Sequence, residues 1–301
     1  MSTAQSKNIL GLVILFLCNI LFIMQKGQYM SKYLVIGDPI EHSLSPEMQN
    51  AGFEALGLGR PYGKRRVTLE EFPEFVRFAR ENLKGFNITV PHKQTIIPYL
   101  DSISREAELA RSVNTVTVKN GKLHGDSTDG YGLEAALKEA FGVEVKNGSF
   151  FFIGCGGAVQ AVAFHFAARG AKRLMFANRT VAKAEALIDS LQDAFPNSDF
   201  ACCSINDLGT VEDFIDIASV AVQGTSLGLK PDDLPPVPPE LLRNICYYDT
   251  IYKRTPLLEA AAGKGLRTAD GRSMLLHQGA RSFEIWTEED APLDAMRSAL
   301  Y

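Results

Sequence analysis

The 301-residue chain has few cysteines, a single tryptophan and no dominant sign of charge. Its five cysteines (Cys18, Cys155, Cys202, Cys203 and Cys246) are odd in number, irregularly spaced and without a C-x-x-C pair. That argues against a disulfide framework or a zinc site and suits a reducing compartment. Adjacent Cys202 and Cys203 read as ordinary strand residues rather than a redox pair. A net charge of -4, with lysine and arginine scattered, gives no footprint for nucleic acid. The densest basic cluster, Lys64-Arg65-Arg66, reads as solvated surface. Internal repeats are absent. With 46% hydrophobic and 22% charged residues, whole-chain disorder is excluded. The length suits two domains.

Only one apolar run is long. Residues 9–24 are broken only by Asn19. As a helix they would measure about 24 Å, short of the ~30 Å of a bilayer core. Three readings stay open: a dispensable extension upstream of Met30, a short anchor, and a signal-type segment. The small-x-small pattern of a cleavage site is missing before Gln25, and Phe16-Leu17 fits a lipoprotein site at Cys18 poorly. In the anchor reading, Lys26 and Lys32 behind the run, against Lys7 ahead of it, leave the body on the cytoplasmic side. A cytoplasmic location is expected, with a membrane contact only if this segment is retained.

From Met30 onward, strand-like runs at 33–37, 85–89, 115–119, 150–153, 173–178, 220–223 and 246–250 alternate with helical patterns. The latter cover 46–56, 70–83, 130–141, 158–168, 181–194, 256–265 and 273–287. Such alternation implies an α/β architecture with parallel sheets and crossover helices. Ser45-Pro46 and Thr255-Pro256 each predict a hydroxyl N-cap ahead of a proline in the first turn. The proline-rich stretch from Lys230 to Pro239 predicts a loop.

Phe150-Phe151-Phe152-Ile153 runs into Gly154-Cys155-Gly156-Gly157-Ala158-Val159, and a helical pattern follows. Strand, glycine turn and helix in that order suit a dinucleotide pyrophosphate at a helix N-terminus, as in Rossmann-type domains. Gly154, Gly156, Gly157 and Ala158 are the expected contacts. Val159 stands where glycine or alanine is usual and predicts a helix slightly farther from its strand. At the end of the next strand, Asn178-Arg179-Thr180 carries no acid to accept from a ribose 2′-hydroxyl. Arg179 offers a planar cation to a 2′-phosphate, Thr180 a hydroxyl and Lys183 a further charge. The expected cofactor is therefore NADP.

Six separated motifs carry a family resemblance. They are Gly37-Asp38-Pro39-Ile40-Glu41-His42-Ser43-Leu44-Ser45-Pro46, Gly85-Phe86-Asn87-Ile88-Thr89-Val90-Pro91-His92-Lys93, Ser112-Val113-Asn114-Thr115 and Ser127-Thr128-Asp129-Gly130, with Gly271-Arg272-Ser273-Met274-Leu275-Leu276-His277-Gln278 and Phe283-Glu284-Ile285-Trp286 near the end. In this order they resemble the shikimate dehydrogenase family. The resemblance implies an N-terminal α/β substrate domain, a Rossmann-type NADP domain, and C-terminal helices that return to the substrate domain. The expected division is an extension at 1–29, substrate domain at 30–127 and 271–301, and NADP domain at 128–270.

It also implies roles. Ser43 and Ser45 would bind the substrate carboxylate; Asn87, Thr89, Asn114 and Gln278 its hydroxyls; Tyr252 would stand near the cleft. Lys93 and Asp129 would form the catalytic pair, lysine as acid/base and aspartate as its orienter. A carboxylate raises the lysine pKa and burial lowers it, so the resting protonation is left open. Thr225, Ser226 and Gly271 would border the cofactor. His42 and His277 read as structural. The chain departs from the family at Gln223, where Asn usually opens the loop; at Ser127, in place of Asn; at Gln49, in place of His; and between Tyr252 and Thr255, where a proline is missing. Gln223 keeps the amide but extends it by one methylene beside the expected cofactor. The expected reaction is reduction of 3-dehydroshikimate to shikimate, by a monomer or homodimer. Quinate as main substrate and a non-catalytic ligand sensor remain alternatives.

Overall fold

The computed structural model describes residues 31–230 and 232–301; the apolar run at 9–24 and Cys18 lie outside the described residues. The first half builds β1 (Tyr33–Gly37), α1 (Ser45–Ala55), β2 (Tyr62–Arg66), α2 (Phe72–Asn82), β3 (Gly85–Ile88), β4 (Ser102–Ile103), α3 (Arg105–Ala110), β5 (Thr115–Lys119) and β6 (Lys122–Asp126). Its sheet has the order β2-β1-β3-β5-β6-β4. The β1–β2 and β1–β3 pairs are parallel, but β3–β5 and β5–β6 are antiparallel. Two antiparallel pairs thus stand beside the expected parallel ones. The strands at β5 and β6 are separated only by Asn120-Gly121, both with positive φ, a reversal that pairs neighbours antiparallel without a crossover helix.

α4 (Asp129–Phe141) leads into β7 (Ser149–Ile153), α5 (Gly157–Ala168), β8 (Arg173–Asn178), α6 (Val181–Ala194), β9 (Asp199–Ser204), α7 (Leu208–Ile217), β10 (Val220–Gln223), β11 (Cys246–Asp249), α8 (Pro256–Gly263) and β12 (Thr268–Ala269). Their sheet runs β12-β11-β10-β7-β8-β9 and every pairing is parallel. The order reverses between β7 and β10, the crevice where open α/β sheets bind ligands. Both faces are buried, which is why β7 reads as a continuous apolar run. Phe150 and Phe152 pack with Phe166 and Phe176 on one face; Phe151 and Ile153 join Val211, Phe214 and Tyr247 on the other.

α9 (Arg272–Thr287) and α10 (Leu293–Ser298) complete the chain. α9 lies close against α4, so that a Cβ on Gly132 would fall 2.7 Å from Gln278 Cβ. It also reaches the first sheet, where Trp286 Nε1 donates to the Val116 carbonyl at 3.1 Å. Among the described residues, no helix is long and apolar enough to cross a membrane.

The two expected caps divide. Thr255 caps α8, accepting from the Leu258 N–H at 3.2 Å. Ser45 does not cap: it is the first residue of α1, and Leu44 holds the cap position with no side-chain bond. Its hydroxyl is therefore not engaged by the helix end. Thr255 also donates to Asp249 Oδ2 at 2.6 Å, and Asp249 is fully buried. Thr255→Val removes a cap and one donor to a buried carboxyl. It should lower the unfolding free energy by about 2 to 4 kcal/mol, read as a lower urea midpoint at unchanged slope.

Candidate functional site

Two loops leave the first sheet side by side. The Asp38 N–H donates to the Val90 carbonyl at 3.0 Å and the Thr89 N–H to the Ile36 carbonyl at 2.9 Å. This ties the segment after β1, which carries Ser43 and Ser45, to the segment after β3, which carries Lys93. Both emerge at carboxyl ends of parallel strands. The Lys93 carbonyl accepts from the Val113 N–H at 2.9 Å, anchoring that turn to the strand that begins at Thr115.

Lys93 Nζ lies 2.5 Å from Asp129 Oδ2, with side chains 18% and 7% exposed. The pair is sheltered yet reachable. Asp129 opens α4, where the partial positive charge of the helix end favours a carboxylate. Its other oxygen accepts from Asn114 Nδ2 at 2.9 Å. Asn114 is itself held: its Oδ1 accepts from the Thr128 N–H at 2.8 Å, and its Nδ2 also reaches Gln278 Oε1 at 3.3 Å. Lys93, Asn114, Asp129 and Gln278, from four separate segments, thus form one connected polar network.

Asn87 joins it more deeply. It is 6% exposed; its Oδ1 accepts from Tyr62 at 2.7 Å, and its Nδ2 faces the Asn114 carbonyl, Thr115 and Ser282 at 3.0 to 3.1 Å. Ser282 Oγ also meets Thr115 Oγ1 at 2.8 Å and Thr128 Oγ1 at 3.3 Å. Sequence reasoning missed Ser282, Thr115, Thr128 and Tyr62. A signal existed for Ser282, which stands four residues after Gln278 on the same face of α9. Tyr62 had none, because its strand went unrecognised.

The remaining expected substrate groups stand on these two loops and on the loop after β11. Ser43 Oγ accepts from the Ser45 N–H at 3.3 Å. Thr89 is partly exposed and Ser45 is buried. Tyr252, 39% exposed, donates to the His42 carbonyl at 3.4 Å, so the loop after β11 reaches across to the serine loop. Burial raises the Tyr252 pKa, so its hydroxyl stays a donor. His277 pairs with Glu139 at 2.7 Å.

At the crevice of the second sheet, Gly154 turns the chain with φ +101°, a backbone conformation that favours glycine. The Cβ positions of Gly156 and Gly157 meet nothing closer than 4.0 Å, leaving an open cradle beside the N-terminus of α5. A pyrophosphate fits there, against free N–H groups and the positive helix end. Cys155 adds no thiolate: burial, with a smaller push from Cys202, holds its thiol at about 12. Val159 is answered by Gly224, since a Cβ on Gly224 would fall 2.3 Å from Val159 Cγ2. Arg179, Thr180 and Lys183 are exposed at the end of β8, and Asn178 Nδ2 donates to the Thr180 carbonyl at 2.8 Å, shaping that turn. Neither Arg179 nor Lys183 has an ion-pair partner among the described residues. Gly271 packs on Thr250, whose carbonyl would lie 2.1 Å from an added Cβ.

Gln223 turns inward on its own loop. The longer side chain folds back: Oε1 accepts from the Thr225 N–H at 2.5 Å and Nε2 donates to the Leu227 carbonyl at 2.9 Å. It ties Thr225 to Leu227 across Ser226 from within. Lys253 Nζ also donates to the Leu229 carbonyl, joining this loop to the one that carries Tyr252. Gln223→Ala should raise KM for NADP several-fold and lower stability by about 1 to 3 kcal/mol. Steady-state kinetics and thermal unfolding check it.

Three family models match the chain: shikimate dehydrogenase substrate binding domain over residues 35–116, shikimate / quinate 5-dehydrogenase over 135–240, and shikimate 5'-dehydrogenase C-terminal domain over 271–301. Shikimate dehydrogenase (NADP(+)) of Methanopyrus kandleri is 38% identical over 88% of this chain and 93% of its own. The Thermus thermophilus shikimate 5-dehydrogenase, solved with NADP(H) and shikimate, is 33% identical with a TM-score of 0.80, covering 90% of this chain and 98% of that one. A quinate dehydrogenase of Corynebacterium glutamicum, solved with NAD, is 27% identical with a TM-score of 0.78, covering 89% and 98%.

Proposed function

The chain belongs to the shikimate dehydrogenase family, and we propose that it interconverts 3-dehydroshikimate and shikimate with NADP as the redox partner. The observation that carries this is the Lys93–Asp129 contact of 2.5 Å, sheltered and wired to Asn114 and Gln278. The first sheet and α9 supply the substrate side and the second sheet the NADP side, with boundaries near 127 and 271.

When bound, NADPH supplies the hydride that reduces the ring ketone. The chain does the rest. The Lys93 ammonium hydrogen-bonds the ketone oxygen, stabilises the charge that develops there and donates the proton. In the opposite direction it takes the proton of the alcohol. Asp129 aims the amine, and Asn114 fixes Asp129. Ser43, Ser45, Thr89 and Gln278 orient the carboxylate and hydroxyls. A site lined with paired polar groups discriminates against analogues that leave them unpaired. Arg179, Thr180 and Lys183 take the 2′-phosphate.

Shikimate is favoured over quinate by the relatives: those at 33–38% identity carry the shikimate name, and the quinate enzyme stands at 27%. Turnover tests the proposal. The purified chain should form NADPH from shikimate and NADP; tight binding of shikimate without turnover would make it a ligand sensor instead.

A further inference from the structure

His165 lies in the last turn of α5, the helix that follows the glycine turn, and is 7% exposed. Its Nδ1 is 2.6 Å from Glu106 Oε1 on α3, and its Nε2 is 2.6 Å from Glu134 Oε2 on α4. Ionised carboxylates only accept, so both ring nitrogens must carry protons. Doubly protonated, the ring is an imidazolium that ties three helices together. Its position near a helix C-terminus favours that charge as well.

The bridge touches the catalytic machinery at one remove. A Cβ on Gly130 would fall 2.2 Å from His165 Cβ, so the imidazole stem packs on the backbone of the residue after Asp129. Glu106 belongs to α3, which ends at Ala110, a short turn before Val113, the residue whose N–H holds the Lys93 carbonyl at 2.9 Å. We infer that His165 is a positioning residue for the reaction proposed above: it registers the helix behind the glycine turn against the turns that carry Asp129 and Lys93. This rests on that reading of the site.

The registration depends on pH. Burial disfavours the charged ring, but the Glu106 and Glu134 carboxylates outweigh it and raise the His165 pKa. Its other charged neighbours on the same cavity wall are Arg105, Lys138, Glu144 and Arg169, with Arg169 Nε holding the second oxygen of Glu134 at 3.1 Å. Because the folded pKa is raised, the bridge and its stabilisation are complete below the ordinary histidine pKa. They are lost as pH rises through the raised value.

The test uses the full chain with Glu106→Gln and His165→Gln. Glu106 is half-exposed, so its variant should fold even if the histidine variant does not. Ring-nitrogen NMR should find His165 doubly protonated at neutral pH, titrating above the other histidines, and titrating lower in Glu106→Gln. The alkaline fall of wild-type kcat/KM should move to lower pH in Glu106→Gln. His165→Gln should lose roughly tenfold in kcat/KM, with KM for NADP rising more than KM for shikimate. A neutral His165 at pH 7, or a Glu106→Gln profile superimposable on wild type, overturns the inference. If wild type turns over no substrate, the function proposal falls by itself. The His165 titration and its shift in Glu106→Gln then decide the bridge: an unshifted titration sinks it.

Discussion

Lys93→Ala should lower kcat for shikimate oxidation by about three orders of magnitude while leaving KM for shikimate within a few-fold. The size follows from the two jobs lost together. General acid/base transfer contributes about 10²- to 10⁴-fold, and a charged donor at a developing oxyanion about 10²- to 10³-fold. They act on the same atom and do not simply multiply. In the proposed site, substrate affinity rests chiefly on Ser43, Ser45 and the amide groups, which is why KM should hold. Lys93→Arg should not restore the rate, because guanidinium does not give up its proton and its fork does not fit the geometry of one ammonium against Asp129. Asp129→Asn should cost less, roughly 100-fold, since it misaims Lys93 without removing it. Circular dichroism must show all three variants folded, because Lys93→Ala leaves Asp129 buried beside Asn114 without its partner.

The second large effect concerns cofactor choice. Arg179→Ala should reduce the preference for NADP over NAD, measured as the ratio of kcat/KM values, by roughly 10- to 100-fold. The loss should fall on KM for NADP, with kcat nearly unchanged and KM for NAD unaffected. The argument is one of position: Arg179 is exposed at the end of β8 with no ion-pair partner of its own among the described residues. A surface arginine with no ligand would be neutral in this assay. Lys183→Ala should follow in the same direction with a smaller effect, because a flexible ammonium in water contributes a weaker, salt-screened contact. Raising ionic strength should therefore narrow the difference between Lys183→Ala and wild type.

Much of this was legible from local chemistry. Three phenylalanines running into Gly154-Cys155-Gly156-Gly157 could only be a buried strand delivered to a tight turn, and β7, the turn and α5 follow in that order. The absence of an acid after Ala177 was equally readable. What escaped depends on long-range pairing. β2 (Tyr62–Arg66) is an edge strand whose Lys64-Arg65-Arg66 face solvent, so it carries no apolar alternation. Its basic residues still have work: Arg65 lies over the Phe75 and Phe78 rings, and Arg66 reaches Asp38 at 2.6 Å. β9 (Asp199–Ser204) is likewise an edge, and its polar ends hid it. Ser45 misled because serine before proline is a cap signature, whereas Leu44 already closes the turn. Beyond the spacing of Ser282 from Gln278, the network around Ser282 was not legible, since it forms only when α9 crosses back onto β5 and the start of α4.

The most direct test is a matrix of kcat/KM for shikimate and quinate, each with NADP and NAD, on the purified chain. The account predicts the highest value for shikimate with NADP, and the lowest for quinate with NAD. A maximum at quinate with NAD would contradict both the pocket assigned to the serine loop and the phosphate site assigned to Arg179.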